Sequence, residues 1–241
     1  MSLNNLKLDN DVVVDESDVV VGGNAFTVPS GIYRTKIDMA YMGESTNGAI
    51  SLTLITTVNG VKVQEIMYLT NARKEPFYID KVTKAKKIMP SLQNANNLAQ
   101  LTNGKDLSDL STDKRFVMQW DNSVKKDVNT EVDVVVDLLD KPIQAVIQQI
   151  KEDQQSKGAD GIYRPNGKTR TINKYVKFLD ADKGLTVLEL ESSELPDPTY
   201  ATTWLKANDG KLRDMSTAGA DTSANAGGTS STDSTKSLFS S

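Results

Sequence analysis

The alternation of apolar and polar residues predicts three β-strands near the start of the folded part of the chain. In "GIYRTKIDMAYM", residues 31–42, one face carries Tyr33, Ile37, Met39 and Tyr41, and the other carries Arg34, Lys36 and Asp38. Residues 49–70, "AISLTLITTVNGVKVQEIMYLT", place two β-rich runs around Asn59-Gly60, which is a strong signal for a tight hairpin turn. We therefore expect three antiparallel strands joined in sequence.

A helix is predicted directly after these strands. It begins at Pro90-Ser91, and the Asn103-Gly104 pair ends it as a C-cap. Between these limits the apolar residues recur at helical spacing: Leu92, Ala95, Leu98 and Ala99. Strand-like alternation then returns in "RFVMQW" (115–120), "KTRTINKYVKFL" (168–179) and "LTVLEL" (185–190).

Residues 141–155, "KPIQAVIQQIKEDQQ", fit two patterns. Ile143, Val146, Ile147 and Ile150 suit a helix, whereas Ile143, Ala145 and Ile147 suit a strand. Periodicity slightly favours the helix, and the neighbouring strands favour a strand.

These elements predict an all-β fold with one inserted helix. A small antiparallel barrel with a helix after its third strand is the oligonucleotide/oligosaccharide-binding (OB) architecture, although other β-rich folds share the pattern. We expect a flexible acidic arm over residues 1–25 and one OB-like domain over residues 26–213. Residues 214–241 are rich in Ser, Thr, Ala, Gly and Asp, so we expect a disordered tail.

Composition narrows the chemistry that the protein can perform. The 241 residues include no Cys and no His, which excludes thiol nucleophiles, disulfides and Cys/His zinc sites. The opening residues lack the regions of a signal peptide, and no apolar run reaches the roughly 18 residues that span a bilayer. We expect a soluble protein that stays in the cytosol where it is made.

Charge is distributed unevenly along the chain. Residues 1–30 carry one basic and five acidic residues, residues 31–180 carry 22 and 18, and residues 181–241 carry five and nine. Six basic residues and two acidic ones fall within residues 71–90, so this segment accounts for the whole positive excess of the body. A positive body between negative ends is typical of nucleic-acid binders, while an unevenly charged solvated surface is the simpler alternative.

The basic segment follows the third strand, where a long loop or hairpin would present its cations to a phosphate backbone. Phe77 and Tyr78 would offer ring faces to bases, but adjacent residues of an extended chain point to opposite sides, so at most one faces nucleic acid. Phe77 is the better candidate for anchoring the loop to the core.

Outside this segment, Tyr175 alternates with polar neighbours and is predicted to be exposed. The candidate DNA-binding residues are Arg34, Lys36, Arg73, Lys74, Phe77, Tyr78, Lys81, Lys84, Lys86, Lys87, Lys168, Arg170, Tyr175 and Lys177.

Four other aromatic residues share strand faces with aliphatic residues, and this pattern predicts that they pack in the core: Tyr33, Tyr41, Phe116 and Trp120. Two acidic clusters carry the oxygen ligands that magnesium prefers: Asp106, Asp109 and Asp113, and Asp133, Asp137 and Asp140. Neither has a recognised ligand spacing, and no Walker-type loop is present, so the sequence predicts no enzyme, no cofactor and no metal site.

Four stretches together resemble the single-stranded DNA-binding proteins of tailed bacteriophages. They are "SGIYRTKIDMAYMGES", "EIMYLTNARKEPFYID", "LAQLTNGKDLSDLSTDKRFVMQWD" and "VDLLDKPIQAVIQQI", and the terminal "TKSLFSS" is similar to the Ser-Leu-Phe ending of that family. The resemblance implies an OB-fold that coats single-stranded DNA in replication and recombination, in the cytoplasm of the bacterial host. It also implies that Leu238 and Phe239 recruit replication proteins such as a polymerase, helicase or nuclease, and it favours a strand over residues 141–150.

The tail departs from this family because it is only mildly acidic, with Asp214, Asp221 and Asp233 against Lys236, and because two serines follow the Leu-Phe pair. The alternative from another class is a phage structural or protein-interaction β-domain that does not bind nucleic acid. The sequence does not determine the oligomeric state, and it is compatible with a homo-oligomer.

Overall fold

A computed structural model describes residues 27–121, 124–192 and 198–217 of the chain. The expected arm (1–25) lies outside the described residues, and so do Leu238 and Phe239. The strands are β1 Gly31–Glu44, β2 Ile50–Val58, β3 Val61–Tyr68, β4 Phe77–Ile79, β5 Lys86–Ile88, β6 Thr112–Asp121, β7 Lys126–Val135, β8 Pro142–Lys157, β9 Tyr163–Leu179 and β10 Leu212–Asp214. The helices are α1 Pro90–Asn103, α2 Val187–Glu191 and α3 Thr199–Asn208, and short 3-10 turns cover Leu107–Asp109 and Val136–Leu138.

The first three strands form the predicted antiparallel meander. β2 and β3 pair from Ser51↔Tyr68 to Val58↔Val61, and their turn has φ values of 51° at Asn59 and 79° at Gly60. Positive φ at both central residues is the geometry that Asn-Gly favours in a two-residue hairpin. The hairpin prediction is confirmed.

β1 connects two parts of the larger sheet. Its first residues pair with β8, from Gly31↔Ile147 to Lys36↔Pro142, and its later residues pair with β2, from Ile37↔Thr56 to Glu44↔Ile50. An irregularity between Ile37 and Met39 shifts the register where the strand passes from one partner to the other. β9 pairs antiparallel with β8, and β10 adds to β8 in parallel over three residues. The fold is strand-rich and mainly antiparallel, as predicted.

Residues 142–157 form strand β8. Ile143, Ala145, Val146 and Ile147 are all at most 1% exposed, so both faces of this part of the strand are covered. In a strand that is buried on both faces, apolar and polar residues no longer alternate, and the sequence is a nearly continuous apolar run. This explains why its periodicity resembled a helix.

Helix α1 follows the meander, as predicted. Pro90 occupies its first turn, and Gly104, at φ 65°, ends it with a left-handed C-cap whose N–H donates to the Gln100 carbonyl. Ala95, Leu98 and Ala99 are fully buried in the main core with residues of β1, β2, β3, β8 and β9. The predicted helical face is therefore the one that covers the core.

The strand expected at 185–190 is wrong, because α2 begins there. Thr186 Oγ1 accepts the N–H of Glu189, and Glu189 Oε2 accepts the N–H of Thr186, which is a capping box. The Thr-x-x-Glu spacing was a readable helix signal in the sequence.

The predicted core positions of the aromatic residues are right in part. Tyr41 is 7% exposed, and Tyr33 packs against the main core. Phe116 and Trp120 are 67% and 59% exposed, so the core prediction is wrong for both. Val117, on the opposite face of β6, packs toward β1 and β2, and alternation alone does not reveal which face is covered.

The predicted start of the tail at residue 214 falls inside β10. Beyond this strand, Met215 N–H donates to the Lys151 carbonyl at 2.8 Å, and Thr217 Oγ1 donates to Asp153 Oδ2 at 2.5 Å. Ordered contacts thus continue to Thr217. Among the helices of the described ranges, none combines the length and the apolar character that crossing a membrane requires.

Candidate nucleic-acid interface

The basic segment forms a small two-stranded hairpin, one of the two forms expected. β4 and β5 pair at Phe77↔Ile88, Tyr78↔Lys87 and Ile79↔Lys86. Asp80 Oδ1 accepts the N–H groups of Val82 and Thr83 at 3.0 and 2.8 Å, which fixes the turn. A hydrogen bond from Lys87, at 2.6 Å, and these N–H groups lower the pKa of Asp80 to about 2.

The junction between β3 and this hairpin is held by Asn71. Its Oδ1 accepts the N–H groups of Arg73 and Glu75, and its Nδ2 donates to Glu75 Oε2 at 2.7 Å. Lys74 lies in the same turn with φ 63°, and its ammonium is 3.2 Å from the carboxylate of Glu44 on β1. The base of the hairpin is thereby tied to the end of β1.

Phe77 and Tyr78 lie on opposite faces of the hairpin, as their adjacency predicts. Phe77 is half-buried, and Lys86 Nζ lies 4.4 Å from its ring centroid, a cation–π contact. Tyr78 is 39% exposed and pairs with Lys87 across the strands. Of the two side chains, Tyr78 is the more exposed.

The six cations of the hairpin are all exposed, but their surroundings differ. Lys74 and Lys87 have carboxylate partners in Glu44 and Asp80. Within the described residues, no carboxylate lies within salt-bridge distance of the remaining four: Arg73, Lys81, Lys84 and Lys86. These four are best placed to contact phosphates.

A groove opens beside the hairpin, between the outer face of β2 and β3 and the β6–β7 hairpin; we call it the sheet groove. It comprises two adjoining cavities of about 630 and 710 Å³, which share Tyr41, Ile66 and Gln119 in their linings. Ile66 and Tyr68 of β3 are 50% and 45% exposed there. Glu44, the partner of Lys74, lines one end of the groove, so the basic hairpin borders it.

Sequence reasoning missed Ile66 and Tyr68. The run "QEIMYLT" has apolar residues in both phases of the strand, because Met67 and Leu69 enter the core while Ile66 and Tyr68 face outward. Apolar residues in the outward phase of a half-buried strand were the available signal.

The sheet groove also carries carboxylates. Glu131 and Asp133 line the end near Tyr68, while Asp38, Asp127 and Lys62 line the other end. Glu44 lines the same end as Glu131 and Asp133, so carboxylates lie at both ends of the groove. The cations of the basic hairpin that have no carboxylate partner lie outside it, at its border, while the floor offers apolar and aromatic surface.

The other candidate cations lie on β1 and β9, outside the basic hairpin. Arg34 forms an ion pair with Asp182 at 2.8 Å, and Arg170 donates two hydrogen bonds to Glu152 at 3.0 and 2.7 Å. Arg34 pairs with Gln144 of β8 and Arg170 with Glu152, eight residues further along the same strand, or roughly 27 Å at the usual rise. Lys36 and Lys168 are exposed beside Arg34 and Arg170 respectively, and Lys177 Nζ lies 5.2 Å from the centroid of the Tyr200 ring.

The predicted exposure of Tyr175 is wrong. Its ring is 6% exposed, and its hydroxyl lies 3.0 Å from the Val63 carbonyl and 2.9 Å from Thr56 Oγ1. Val146 pairs with Lys177 and Ile147 with Tyr175, so Val176 is an extra residue in β9. Such a bulge reverses the alternation, and Tyr175 joins Phe178 in the core.

No protein-family model matches the chain, and a search of curated proteins found no match.

The acidic clusters make structural hydrogen bonds. Asp106 Oδ1 accepts the side-chain amides of Asn96 and Gln100, each at 3.0 Å, and Asp137 accepts the N–H of Ser111 at 2.8 Å. This hydrogen bond lowers the pKa of Asp137. In the described ranges no three acidic side chains gather in a group suited to a metal ion.

Proposed function

We propose that this protein binds and coats single-stranded DNA without strong sequence preference, as in phage replication and recombination. The single observation that carries the proposal is the exposure of Tyr68 and Ile66 on an open sheet face whose rim is bordered by the basic β4–β5 hairpin. Proteins that bind single strands combine a cationic path for the backbone with flat side chains on which bases stack.

The strand connections support an OB-fold-like barrel. β1 pairs with β2 and with β8, β8 pairs with β9, and α1 lies in the chain between β3 and β8. β9 approaches β3 through the contacts of Tyr175 with Val63 and Glu65. In OB-folds the face of the second and third strands binds oligonucleotides, and in this chain Tyr68 and Ile66 belong to that face.

Affinity in this proposal has two sources. A base stacked on Tyr68 contributes about 1–3 kcal/mol, whatever its identity, because every base has a π-face. Arg73, Lys81, Lys84 and Lys86 neutralise phosphates, and each neutralised phosphate contributes about −0.7 to the slope of log affinity against log salt concentration. These contacts recognise the phosphate backbone and the faces of the bases, not the base edges that carry sequence information. The protein can therefore bind at any position along a strand and coat it.

The experiment that tests the proposal compares Tyr68→Ala with Tyr163→Ala in equilibrium binding to a fluorescent oligo-dT. Tyr163 is 62% exposed at the far end of β9, so it is a matched exposed tyrosine outside the sheet groove. We expect Tyr68→Ala to weaken binding by about 1–3 kcal/mol and Tyr163→Ala to leave it unchanged. Equal affinities of Tyr68→Ala and the unmodified protein would reject the sheet groove, and a loss confined to Tyr163→Ala would move the interface to the β8–β9 end.

The alternative is a protein-interaction β-domain without nucleic-acid binding. The carboxylates of the sheet groove, Glu131 and Asp133 among them, are the observation that favours it. Such a protein would bind oligo-dT weakly and would respond to neither tyrosine substitution.

A further inference from the structure

A second groove lies between helix α1 and the 3-10 turn that follows it; we call it the helix groove. Its cavity has a volume of about 670 Å³, within the range of cavities that bind ligands. Among the residues that line it, Leu110 and Val135 are buried, Leu92 and Leu107 are partly buried, and Ile88 of β5 is 51% exposed. Apolar surface gathered in an open, concave site marks a place where another molecule or chain segment binds.

Hydrogen bonds fix the two sides of the helix groove to each other. The N–H of Leu107 donates to Asn96 Oδ1 at 2.8 Å. Asp106 Oδ1 accepts the side-chain amides of Asn96 and Gln100, each at 3.0 Å. The 3-10 turn is therefore held against α1 by its own contacts, and an occupant can bind without first ordering the site.

The charges of the helix groove disfavour a nucleic acid. Of the described residues that line it, none is Lys or Arg, and Asp106 is the one with a charged side chain. The two cations of β5 are directed elsewhere, Lys86 to an aromatic ring and Lys87 to Asp80. Phosphates would meet a carboxylate and no cation in this groove, so an apolar peptide segment with a nearby cation is the better match.

The sequence contains such a segment beyond the described residues. Residues 218–241 include two large apolar residues, Leu238 and Phe239, and one cation, Lys236, two positions before them. Adjacent side chains of an extended segment point to opposite sides. The helix groove presents apolar residues of both α1 and the 3-10 turn, so each of the two side chains has an apolar surface to contact.

The length of the chain allows the pair to reach this groove. Thr217 is the last described residue, and Leu238 follows 21 positions later. A stretch of this length spans up to about 70 Å when fully extended. The radius of gyration expected for a folded domain of this size is only about 16 Å, so the whole surface lies within reach of the pair.

We propose that Leu238 and Phe239 bind in the helix groove of their own chain, with Lys236 facing Asp106. A flexible tether gives a local concentration in the millimolar range, so a dissociation constant of about 1 mM leaves the pair bound about half of the time. The unfolding equilibrium then changes only about twofold. A protein that binds Leu238 and Phe239 must compete with the groove for them. The proposal does not depend on DNA binding.

Disulfide trapping in the full chain tests this contact, because the chain has no cysteine of its own. We expect Ser108→Cys, in the groove, to form an intramolecular disulfide with Ser240→Cys, next to Phe239, on mild oxidation. The control pair combines Ser240→Cys with Thr203→Cys, at an exposed position on α3. The groove pair should crosslink about tenfold faster or more, since binding raises the local concentration of its two thiols.

Leu238→Ser with Phe239→Ser removes the apolar pair and leaves the groove itself unchanged. In this background the groove pair should crosslink no faster than the control pair. Equal rates before these substitutions, or a groove rate that they do not alter, would overturn the proposal. A disulfide-linked dimer as the main product would assign the groove to the tail of a second copy and would also overturn it. So would protection of Ser108→Cys from a maleimide by oligo-dT in this background, which would assign the groove to DNA.

Methyl NMR spectra of the full chain give a second readout, one that detects weak binding. Leu238→Ser with Phe239→Ser should shift the methyl resonances of Ile88 and Leu92, because the ring of Phe239 leaves their surroundings. Val82, which is 90% exposed in the turn of the basic hairpin and does not line the groove, is the control and should not shift. Unchanged resonances of Ile88 and Leu92 would contradict binding of the pair in the helix groove.

Discussion

The hydroxyl of Tyr175 on β9 donates a 3.0 Å hydrogen bond to the main-chain carbonyl of Val63 on β3. No main-chain ladder joins these two strands among the described residues, so side chains make the connection. Glu65 Oε2 accepts the Tyr175 N–H at 2.6 Å in the same place. Burial raises the pKa of the Tyr175 hydroxyl well above its ordinary value, so the hydroxyl remains a donor at neutral pH.

Tyr175→Phe should therefore destabilise the fold. It leaves the Val63 carbonyl and the fully buried Thr56 hydroxyl without this partner, and an unsatisfied buried polar group costs about 1–3 kcal/mol. Urea denaturation measures the change. The control, Tyr163→Phe, alters an exposed hydroxyl and should change stability by less than about 0.5 kcal/mol. Equal stabilities of the two variants would contradict the role given to Tyr175.

Glu65→Gln should stabilise the protein at neutral pH. Burial is the largest influence on Glu65 and raises its pKa, while the Tyr175 N–H and the charge of Lys174 oppose the rise only in part. Because the folded-state pKa lies above the unfolded value, the folded state favours the protonated form, and ionisation above that pKa reduces stability. The gain from Gln should be present at pH 7 and shrink as pH falls through the raised pKa. Urea denaturation at pH 7 and pH 4 checks this, and a less stable variant at pH 7 would refute it.

The parts of the fold that local chemistry dictates were predictable from the sequence. The Asn59-Gly60 turn and the α1 boundary at Gly104 depend on residues that adopt positive φ readily, and both were predicted correctly. The position of Tyr175 was not predictable, because the bulge at Val176 depends on how β9 pairs with β8. The exposure of Phe116 and Trp120 depends on which face of β6 packs against the rest of the protein. That choice is made by tertiary contacts and not by the local sequence.

In the candidate site, the basic hairpin was predictable from the sequence, but the sheet groove beside it was not. The concentration of cations in residues 71–90 is visible from a count of charged residues. The sheet groove forms because the β6–β7 hairpin lies beside the outer face of β2 and β3. No local sequence pattern predicts that placement. The distance between Arg34 and Arg170 was not predictable from local patterns either, because it is set by register along β8.

Neutralising Lys81 and Lys84 should weaken binding to single strands and flatten its salt dependence. Lys84 has φ 59°, so Lys84→Asn with Lys81→Gln removes both charges while keeping a residue that tolerates this backbone. The slope of log affinity against log salt should become less negative by about 1.4, for two phosphates at about 0.7 each. Lys183→Gln with Lys206→Gln, a matched pair of exposed cations elsewhere, should leave the slope unchanged. An unaltered slope in the first pair would exclude the hairpin from the interface.

Two truncations separate the folded end of the chain from the expected tail. Removing residues 218–241 should leave the free energy of unfolding unchanged, with DNA affinity equal or slightly higher, since the removed residues carry Asp221 and Asp233 against Lys236. Removing residues 214–241 also deletes the contacts of Met215 and Thr217 with β8 and should lower stability. Thermal melts of the two truncated proteins compare their stabilities directly. A large loss of affinity in the shorter truncation would contradict a tail that is separate from the DNA contact.

Equilibrium binding of the full chain to a 30-nucleotide oligo-dT and to a matched duplex, each at two salt concentrations, tests directly whether the protein coats single-stranded DNA. Salt dependence and strand preference together separate the coating of single strands from incidental charge attraction. We predict tight binding to oligo-dT that weakens as salt rises, with much weaker binding to the duplex. Equal affinity for the two, or no binding to oligo-dT at low salt, would contradict the proposed function.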